Sequence, residues 1–282
     1  MPDAAAEPLA IVAGGGPVPL HVAAAAAAHG RRVRIVGIAG EADKAIEGFD
    51  HIWLSWGEIG RIDAILKAHG RDVVIVGNIR QRPDFKGIKL DWATMRAAKD
   101  VFTIIIGGDD TVLTGAVRFL EKRGLRVIGA HEVAPDLVAG AGALGKRAPD
   151  RRQRKDVEAA VRAAEAIGRL DAGQAAVVVE GRVIALEAAE GTDAMLERVA
   201  SIRAAGRARW SSGTGAFAKC AKPQQDLRVD MPTIGTRTVE GVIAAGLGGI
   251  AISAGKVMIV DRPEVIRRAD AAGIFVTGVV PS

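Results

Sequence analysis

Leu9-Ala10-Ile11-Val12-Ala13-Gly14-Gly15-Gly16-Pro17-Val18-Pro19 is the stretch on which the fold turns. Five apolar residues ending in glycines read as a short buried strand, and residues 19–29 behind them read as a helix. The unit then recurs. Residues 33–38, 51–54 and 73–77 read as strands, with a helix at 58–69. A helix at 91–99, a strand at 102–106, a helix at 111–123 and a strand at 126–129 follow. Such alternation predicts a Rossmann-like parallel sheet with helices on both faces.

Working outward, the pattern changes at residue 134. Residues 134–150 are Gly, Ala and Pro without a period, and they pass into the basic run of residues 146–155. This reads as a linker. The expected organisation is a nucleotide-binding domain at 1–133, a linker at 134–152 and an α+β catalytic domain at 153–282. Within the latter, residues 153–170 read as a helix, and 174–180 with 183–188 as a β-hairpin around Gly181-Arg182. A helix follows Glu190, with Thr192 as N-cap and Met195, Leu196, Val199 and Ile202 as its apolar stripe. Residues 215–222 read as a strand. Residues 226–232 alternate polar and apolar, so an extended chain would put Asp226, Arg228 and Asp230 on one face.

Composition limits the function classes. The 282 residues are 49% hydrophobic but only 4% aromatic, with no Tyr, which argues against a single-stranded nucleic-acid platform. The net charge of +5 is concentrated partly in Lys146, Arg147, Arg151, Arg152, Arg154 and Lys155. That run suits either a solvated linker or contact with phosphate or an anionic membrane surface. One cysteine, Cys220, allows no intrachain disulfide, and no secretory signal is visible, so a cytoplasmic protein is expected. Residues 22–28 are too short to cross a bilayer, and residues 239–260 are broken by Glu240, glycines and Lys256. The five histidines are scattered without metal spacing, and no Walker loop, nucleophile elbow or calcineurin-like signature is present.

Four constellations can carry chemistry. Gly14, Gly15 and Gly16 lie at a strand-to-helix turn, where a backbone approaches a phosphate or a base, or simply turns tightly. Pro19 stands where the dinucleotide fingerprint has its third Gly, which disfavours NAD. Gly107-Gly108-Asp109-Asp110-Thr111 repeats the geometry, with Asp109 either holding a ribose or capping a helix. Glu190-Gly191-Thr192-Asp193 sets helix amides beside two carboxylates, which a bridging Mg²⁺ or ordinary dipole capping would explain. The densest polar cluster is Lys219, Lys222, Gln225, Asp226, Arg228, Asp230, Thr236 and Arg237. Its cations would neutralise phosphate, while Asp226 and Asp230 would hold a hard cation or orient water. An ion-paired exposed strand would look alike.

Glu187-Ala188-Ala189-Glu190-Gly191-Thr192-Asp193 together with Ala221-Lys222-Pro223-Gln224-Gln225-Asp226-Leu227-Arg228-Val229-Asp230-Met231-Pro232 closely resembles the non-calcineurin UDP-2,3-diacylglucosamine pyrophosphatases of lipid A biosynthesis. The resemblance extends to residues 11–16 and 170–175. It implies magnesium-dependent hydrolysis, with Mn²⁺ as a substitute, of UDP-2,3-diacylglucosamine to UMP and 2,3-diacylglucosamine 1-phosphate (lipid X), with water attacking the sugar-side phosphorus and the ligand held between two domains. It implies Asp226 first and Asp230 second as the essential acids, beside Lys222 and Gln225. Metal ligands would come from Asp226, Asp230, Asp193 and Glu190. Substrate contacts would come from Gly14, Gly15, Gly16, Asp109, Gly191, Thr192, Lys219, Arg228 and Thr236. The family's Ile-Gly-Pro-x-Thr reads Ile234-Gly235-Thr236-Arg237-Thr238 here. Expected partners are the substrate, its products and the inner-membrane surface peripherally, with no nucleic acid; a homodimer is compatible. The rival from another class is a non-catalytic nucleotide-sugar or nucleotide-lipid binding protein, which would need the glycine loops but not the Lys/Gln/Asp cluster.

Overall fold

The computed structural model describes residues 7–79 and 109–280. The helix expected at 91–99, the strand at 102–106 and Gly107-Gly108 lie outside them, as do the side chains of residues 109–112. Two compact units emerge, Met1–Pro135 with Asp226–Asp230, and Asp136–Gln225 with Met231–Ser282. Each is α/β.

In the first unit, β1 (Leu9–Ala13), β2 (Val33–Ile38), β3 (His51–Leu54), β4 (Asp72–Val76) and β5 (Arg126–Val127) run in the order β3-β2-β1-β4-β5 among the described residues. Every pairing is parallel. The central position of β1 explains why all five of its residues are buried and apolar. The described residues of this unit also form the helices α1 (Val18–Ala28), α2 (Ile62–His69), α3 (Asp109–Lys122) and the short α4 (Ala130–Val133). Ala10, Val12, Val36 and Ile38 of the sheet pack with Ile62 and Leu66 of α2 and Val117 and Leu120 of α3. The helix expected from 58 starts instead as a 3-10 turn, Trp56–Arg61, and turns α-helical only at Ile62. α3 is already helical at Asp109, two residues before the expected start.

Val229 packs against this same core. A five-residue excursion from the second half of the chain is therefore built into the first unit, which no linear domain boundary anticipates.

The second unit is a mixed sheet. β6 (Gly142–Ala143), β7 (Ala175–Val179), β8 (Arg182–Leu186), β9 (Ala216–Lys219), β11 (Gly249–Ser253) and β13 (Phe275–Val279) take the order β6-β13-β11-β9-β7-β8, while β10 (Thr233–Ile234) and β12 (Met258–Ile259) form a separate parallel pair. β9, β11 and β13 are parallel, and β6, β7 and β8 join antiparallel. Alternation gives the two faces different packing partners. Val177, Val179, Phe217, Ile250 and Ile252 face α6 (Gly191–Ala204), α7 (Thr236–Ala244) and α8 (Arg262–Ala271). Ala176, Ala216, Ala218 and Ala251 on the other face let α5 (Arg151–Arg169) pack closely through Ala160 and Ala164.

Local differences from expectation have local causes. The hairpin turn is Glu180-Gly181, both at positive φ (51° and 77°), so Arg182 pairs in the strand with Val179. Asp156 accepts hydrogen bonds from both turn amides at 3.1 and 2.7 Å, which offsets the strain at Glu180. The stretch read as linker is ordered into this unit, because β6 adds to the edge of β13 and Asp150 caps α5 at the amides of Arg152 and Gln153. Of the strand expected at 215–222, only Ala216–Lys219 pairs.

Candidate active site

In the second unit two of the side chains expected at the site, Lys219 and Thr192, meet at the end of β9. Lys219, 8% exposed, donates from Nζ to Thr192 Oγ1 at 3.0 Å and to the Thr233 carbonyl at 3.1 Å. Thr192 in turn donates to Glu187 Oε1 at 2.6 Å, and the other oxygen of Glu187, a residue 6% exposed, accepts from the amide of Gln174 at 3.0 Å. An ammonium and a carboxylate are tolerated at this depth because hydrogen bonds connect them. Thr192 is thus not the expected N-cap. α6 begins at Gly191 with Glu190 in the cap position, no side chain caps it, and the Thr192 hydroxyl joins two charged groups instead.

Lys222 lies on the loop beyond. Its amide donates to Gln225 Oε1 at 3.1 Å and its carbonyl accepts from the Gln225 amide at 3.2 Å, so the buried Gln225 closes a turn. Lys222 Nζ pairs with Asp171 at 2.6 Å, and Gln224 donates to the Gly168 carbonyl at 3.0 Å, tying the loop to the end of α5. Thr236 is the first residue of α7, behind Gly235. Asp193 pairs with Arg237 at 2.8 Å and Glu190 with Arg198 at 2.6 Å. Its own backbone amide, then Arg198, hold the Glu190 carboxyl below the ordinary range.

In the first unit, Asp226–Asp230 form a turn rather than the expected extended strand. The amides of Val229 and Asp230 both donate to the Asp226 carbonyl, at 3.1 and 3.0 Å. Turning brings Arg228 back onto Asp226, with Nη2 to Oδ2 at 2.7 Å and Nε to Oδ1 at 3.0 Å. The Arg228 hydrogen bonds outweigh burial and hold Asp226 well below the usual carboxylate range, with a smaller contribution from His131, while the guanidinium is pushed up in return. Two carboxylates do flank Arg228, but the second is Glu121 of α3, at 2.9 Å, and not Asp230.

The glycine loop of the first unit is backbone-locked. Gly14 donates to the Val76 carbonyl at 2.9 Å, and Gly15 exchanges two 2.8 Å hydrogen bonds with Asn78. A Cβ on Gly14 would lie 2.6 Å from the Asn78 carbonyl oxygen, and one on Gly15 would lie 2.8 Å from that of Glu41, so only glycine fits. Beside the loop is a cavity of about 230 Å³ lined by Gly15, Gly16, Glu41, Asp43 and Asn78.

The structure therefore joins Lys219 with Thr192, Lys222 with Gln225 and Asp226 with Arg228, while Glu190 and Asp193 each pair with another arginine. Sequence reasoning passed over Glu41, Asp43 and Asn78, although all three follow the carboxyl end of a strand, where α/β sheets bind ligands. It also gave no role to Glu187, Asp171 or Glu121. An acid at the end of an apolar strand or on a helix surface reads as solvated.

Among the described residues no three His, Cys, Asp or Glu side chains group as a cation site. Asp226, Asp193 and Glu190 each face a guanidinium. A carboxylate already paired with a guanidinium suits at most one contact to a hard cation carried mainly on other oxygens, and not a protein cage.

Comparison with known proteins covers both units. Residues 8–137 match the model of the LpxI N-terminal domain and residues 140–277 that of the LpxI C-terminal domain. A protein of Caulobacter vibrioides described as UDP-2,3-diacylglucosamine pyrophosphatase LpxI is 40% identical over 273 residues, spanning 97% of this chain and 98% of its own.

Proposed function

The chain belongs to the LpxI family, and from that premise we propose that it hydrolyses the pyrophosphate bond of UDP-2,3-diacylglucosamine, giving UMP and 2,3-diacylglucosamine 1-phosphate. The observation that carries this reading is the identity to the Caulobacter protein along nearly the whole of both chains. Water attacks the sugar-side phosphorus, its oxygen joins that phosphorus, and the bond to the bridging oxygen breaks so that UMP leaves. A divalent cation, Mg²⁺ or Mn²⁺, supplies charge neutralisation at the phosphates when bound. Asp226, then Asp230, are the residues we assign to hold it or to orient the attacking water. Asp193 and Glu190 are further candidate ligands.

The cationic groups suit a dianionic pyrophosphate. Lys219, Lys222 and Arg228 offer point charges or a planar fork, and Gly191 and Thr236 open α6 and α7, whose N-terminal amides favour anions. The pairing of Asp226 with Arg228 keeps the carboxylate ionised and oriented before substrate arrives. No helix among the described residues is long and apolar enough to cross a membrane. We assign contact with the anionic inner-membrane surface, where a diacylated substrate resides, to the exposed Lys146, Arg147, Arg151, Arg152, Arg154 and Lys155.

Purified protein given UDP-2,3-diacylglucosamine and Mg²⁺ tests the reading by UMP release with and without a chelator, in ¹⁸O-labelled water. Expected are chelator-sensitive release and label in the sugar phosphate. Ligand binding without UMP would favour a nucleotide-lipid binding protein and overturn the hydrolase; label in UMP would overturn the site of attack.

A further inference from the structure

Among the described residues the helices α1, α3, α6, α7 and α8 end in the same way. The residue just past the helix takes a left-handed backbone, and its amide and the next one donate to carbonyls of the last turn. At that position stand Gly30, Gly124, Gly206, Gly246 and Gly273, with φ between 66° and 83°. Such a cap calls for glycine, which has no Cβ to meet a steric penalty there.

α5 ends with the same cap and a different residue. The Asp171 amide donates to the Gly168 carbonyl and the Ala172 amide to the Ile167 carbonyl, both at 3.1 Å, and Asp171 holds φ at 55°. Aspartate tolerates this backbone better than most residues, yet a strain remains that glycine would relieve. A strained residue where the rest of the fold uses glycine directs attention to its side chain. That side chain reaches Lys222: Oδ1 accepts from Nζ at 2.6 Å, and the lysine side chain is only 14% exposed. Gln224 donates at 3.0 Å to the same Gly168 carbonyl that closes the cap. The cap and the lysine loop are thus fastened to each other by both contacts.

We propose that Asp171 is a positioning residue for the reaction: the left-handed cap of α5 aims its carboxylate so that Lys222 Nζ is held in place for the pyrophosphate. This rests on the hydrolase reading above, in which Lys222 offers charge to the phosphates, and adds to it a residue that touches the lysine and not the substrate. A cap that served the fold alone would be as well or better made with glycine.

UMP release from UDP-2,3-diacylglucosamine with Mg²⁺ is followed for the full chain and for Asp171→Asn and Asp171→Gly, each with and without Lys222→Ala. Melting temperatures and the acetylation of Lys222 by acetic anhydride, read by mass spectrometry, are measured on the same proteins. Asp171→Gly is expected to lower kcat at least about tenfold, since misplacing a group can cost up to about a hundredfold. Its melting temperature should stay within about 5 °C of wild type or rise, because relief of strain offsets the lost ion pair. Asp171→Asn, which keeps the shape and one acceptor oxygen, should fall between the two in kcat. Acetylation of Lys222 should rise severalfold in the glycine variant. In the Lys222→Ala background the glycine change should leave kcat within about twofold, because the carboxylate acts through the lysine. Wild-type kcat in Asp171→Gly overturns the proposal whatever the melting temperature, and so does an undiminished loss in the Lys222→Ala background. If the wild-type protein releases no UMP, the hydrolase reading falls by itself; the acetylation then decides the hold on Lys222, and an unchanged rate sinks it.

Discussion

Replacing Thr192 by Val keeps the shape of the side chain and deletes the hydroxyl that joins Lys219 to Glu187. Both lost hydrogen bonds involve charged partners, for which about 1.5–3 kcal/mol apiece is usual. Lys219 keeps the Thr233 carbonyl and Glu187 keeps the Gln174 amide, so each partner retains some satisfaction. A net loss of about 2–4 kcal/mol is expected, below the roughly 3–5 kcal/mol of stranding a buried charge outright. At about 2–4 °C per kcal/mol for domains of 150–250 residues, the melting temperature should fall by roughly 5–15 °C. Thr192→Ser should recover most of it. Urea unfolding of Thr192→Val, Lys219→Met and the double variant then measures coupling. Side chains in one network should show a non-additive energy of about 0.5–3 kcal/mol. If Thr192→Val stays within about 0.5 kcal/mol of wild type, the usual range for a surface change, or if the two effects simply add, then Lys219 is not held through Thr192 and this account of the site is wrong.

Asp226→Asn should lower kcat by about 10²–10⁴-fold, the usual scale for losing a positioned base or water-orienting group, yet shift stability by only about 1 kcal/mol because the pair with Arg228 is partly exposed; near-normal turnover would remove Asp226 from the mechanism. Asp72 accepts from Arg31 and Arg126 at 2.6 and 2.7 Å, and although burial alone would raise it, the two guanidiniums outweigh that and hold it below the ordinary value. Its stabilisation is therefore present above a pH of about 3.9 and is lost as pH falls through the lower folded value. Asp72→Asn should cost about 1.5–3 kcal/mol at pH 7, with the gap to wild type closing in acid; urea midpoints that stay equally far apart at pH 2 would contradict the sign. Neutralising Lys146, Arg147, Arg151, Arg152, Arg154 and Lys155 should abolish co-sedimentation with anionic liposomes, and unchanged binding would exclude the basic run as the membrane contact.

The alternation of short apolar runs with helical stretches located the first unit's strands to within a residue or two wherever the structure describes them, apart from a shortened β5. β1 is buried throughout, β2 and β4 are buried over most of their length, and the strands are bounded by turn residues, so local pattern suffices. The β7–β8 hairpin was legible from two β-branched runs around a glycine turn, although its turn was displaced by one residue: φ can be positive at Glu180 because Asp156, far away in sequence, binds both turn amides. Residues 226–232 depart from their local pattern. Their polar–apolar alternation is real, but Val229 finds a core in the first unit and Arg228 finds Glu121, 107 residues away, so the segment turns instead of extending.

By itself the sequence determined the kind of fold, the family resemblance and the short list of charged residues from which a phosphate site is made. Each of those is written in spacing and residue type along a few neighbouring positions. Only the tertiary structure decided which charges meet: Thr192 as a link and not a cap, Glu187 as the acid behind Lys219, and Glu41 beside the glycine loop. The physical reason is that a charge is placed by its partners. Those partners lie on different strands and helices, brought together by packing that no local period encodes.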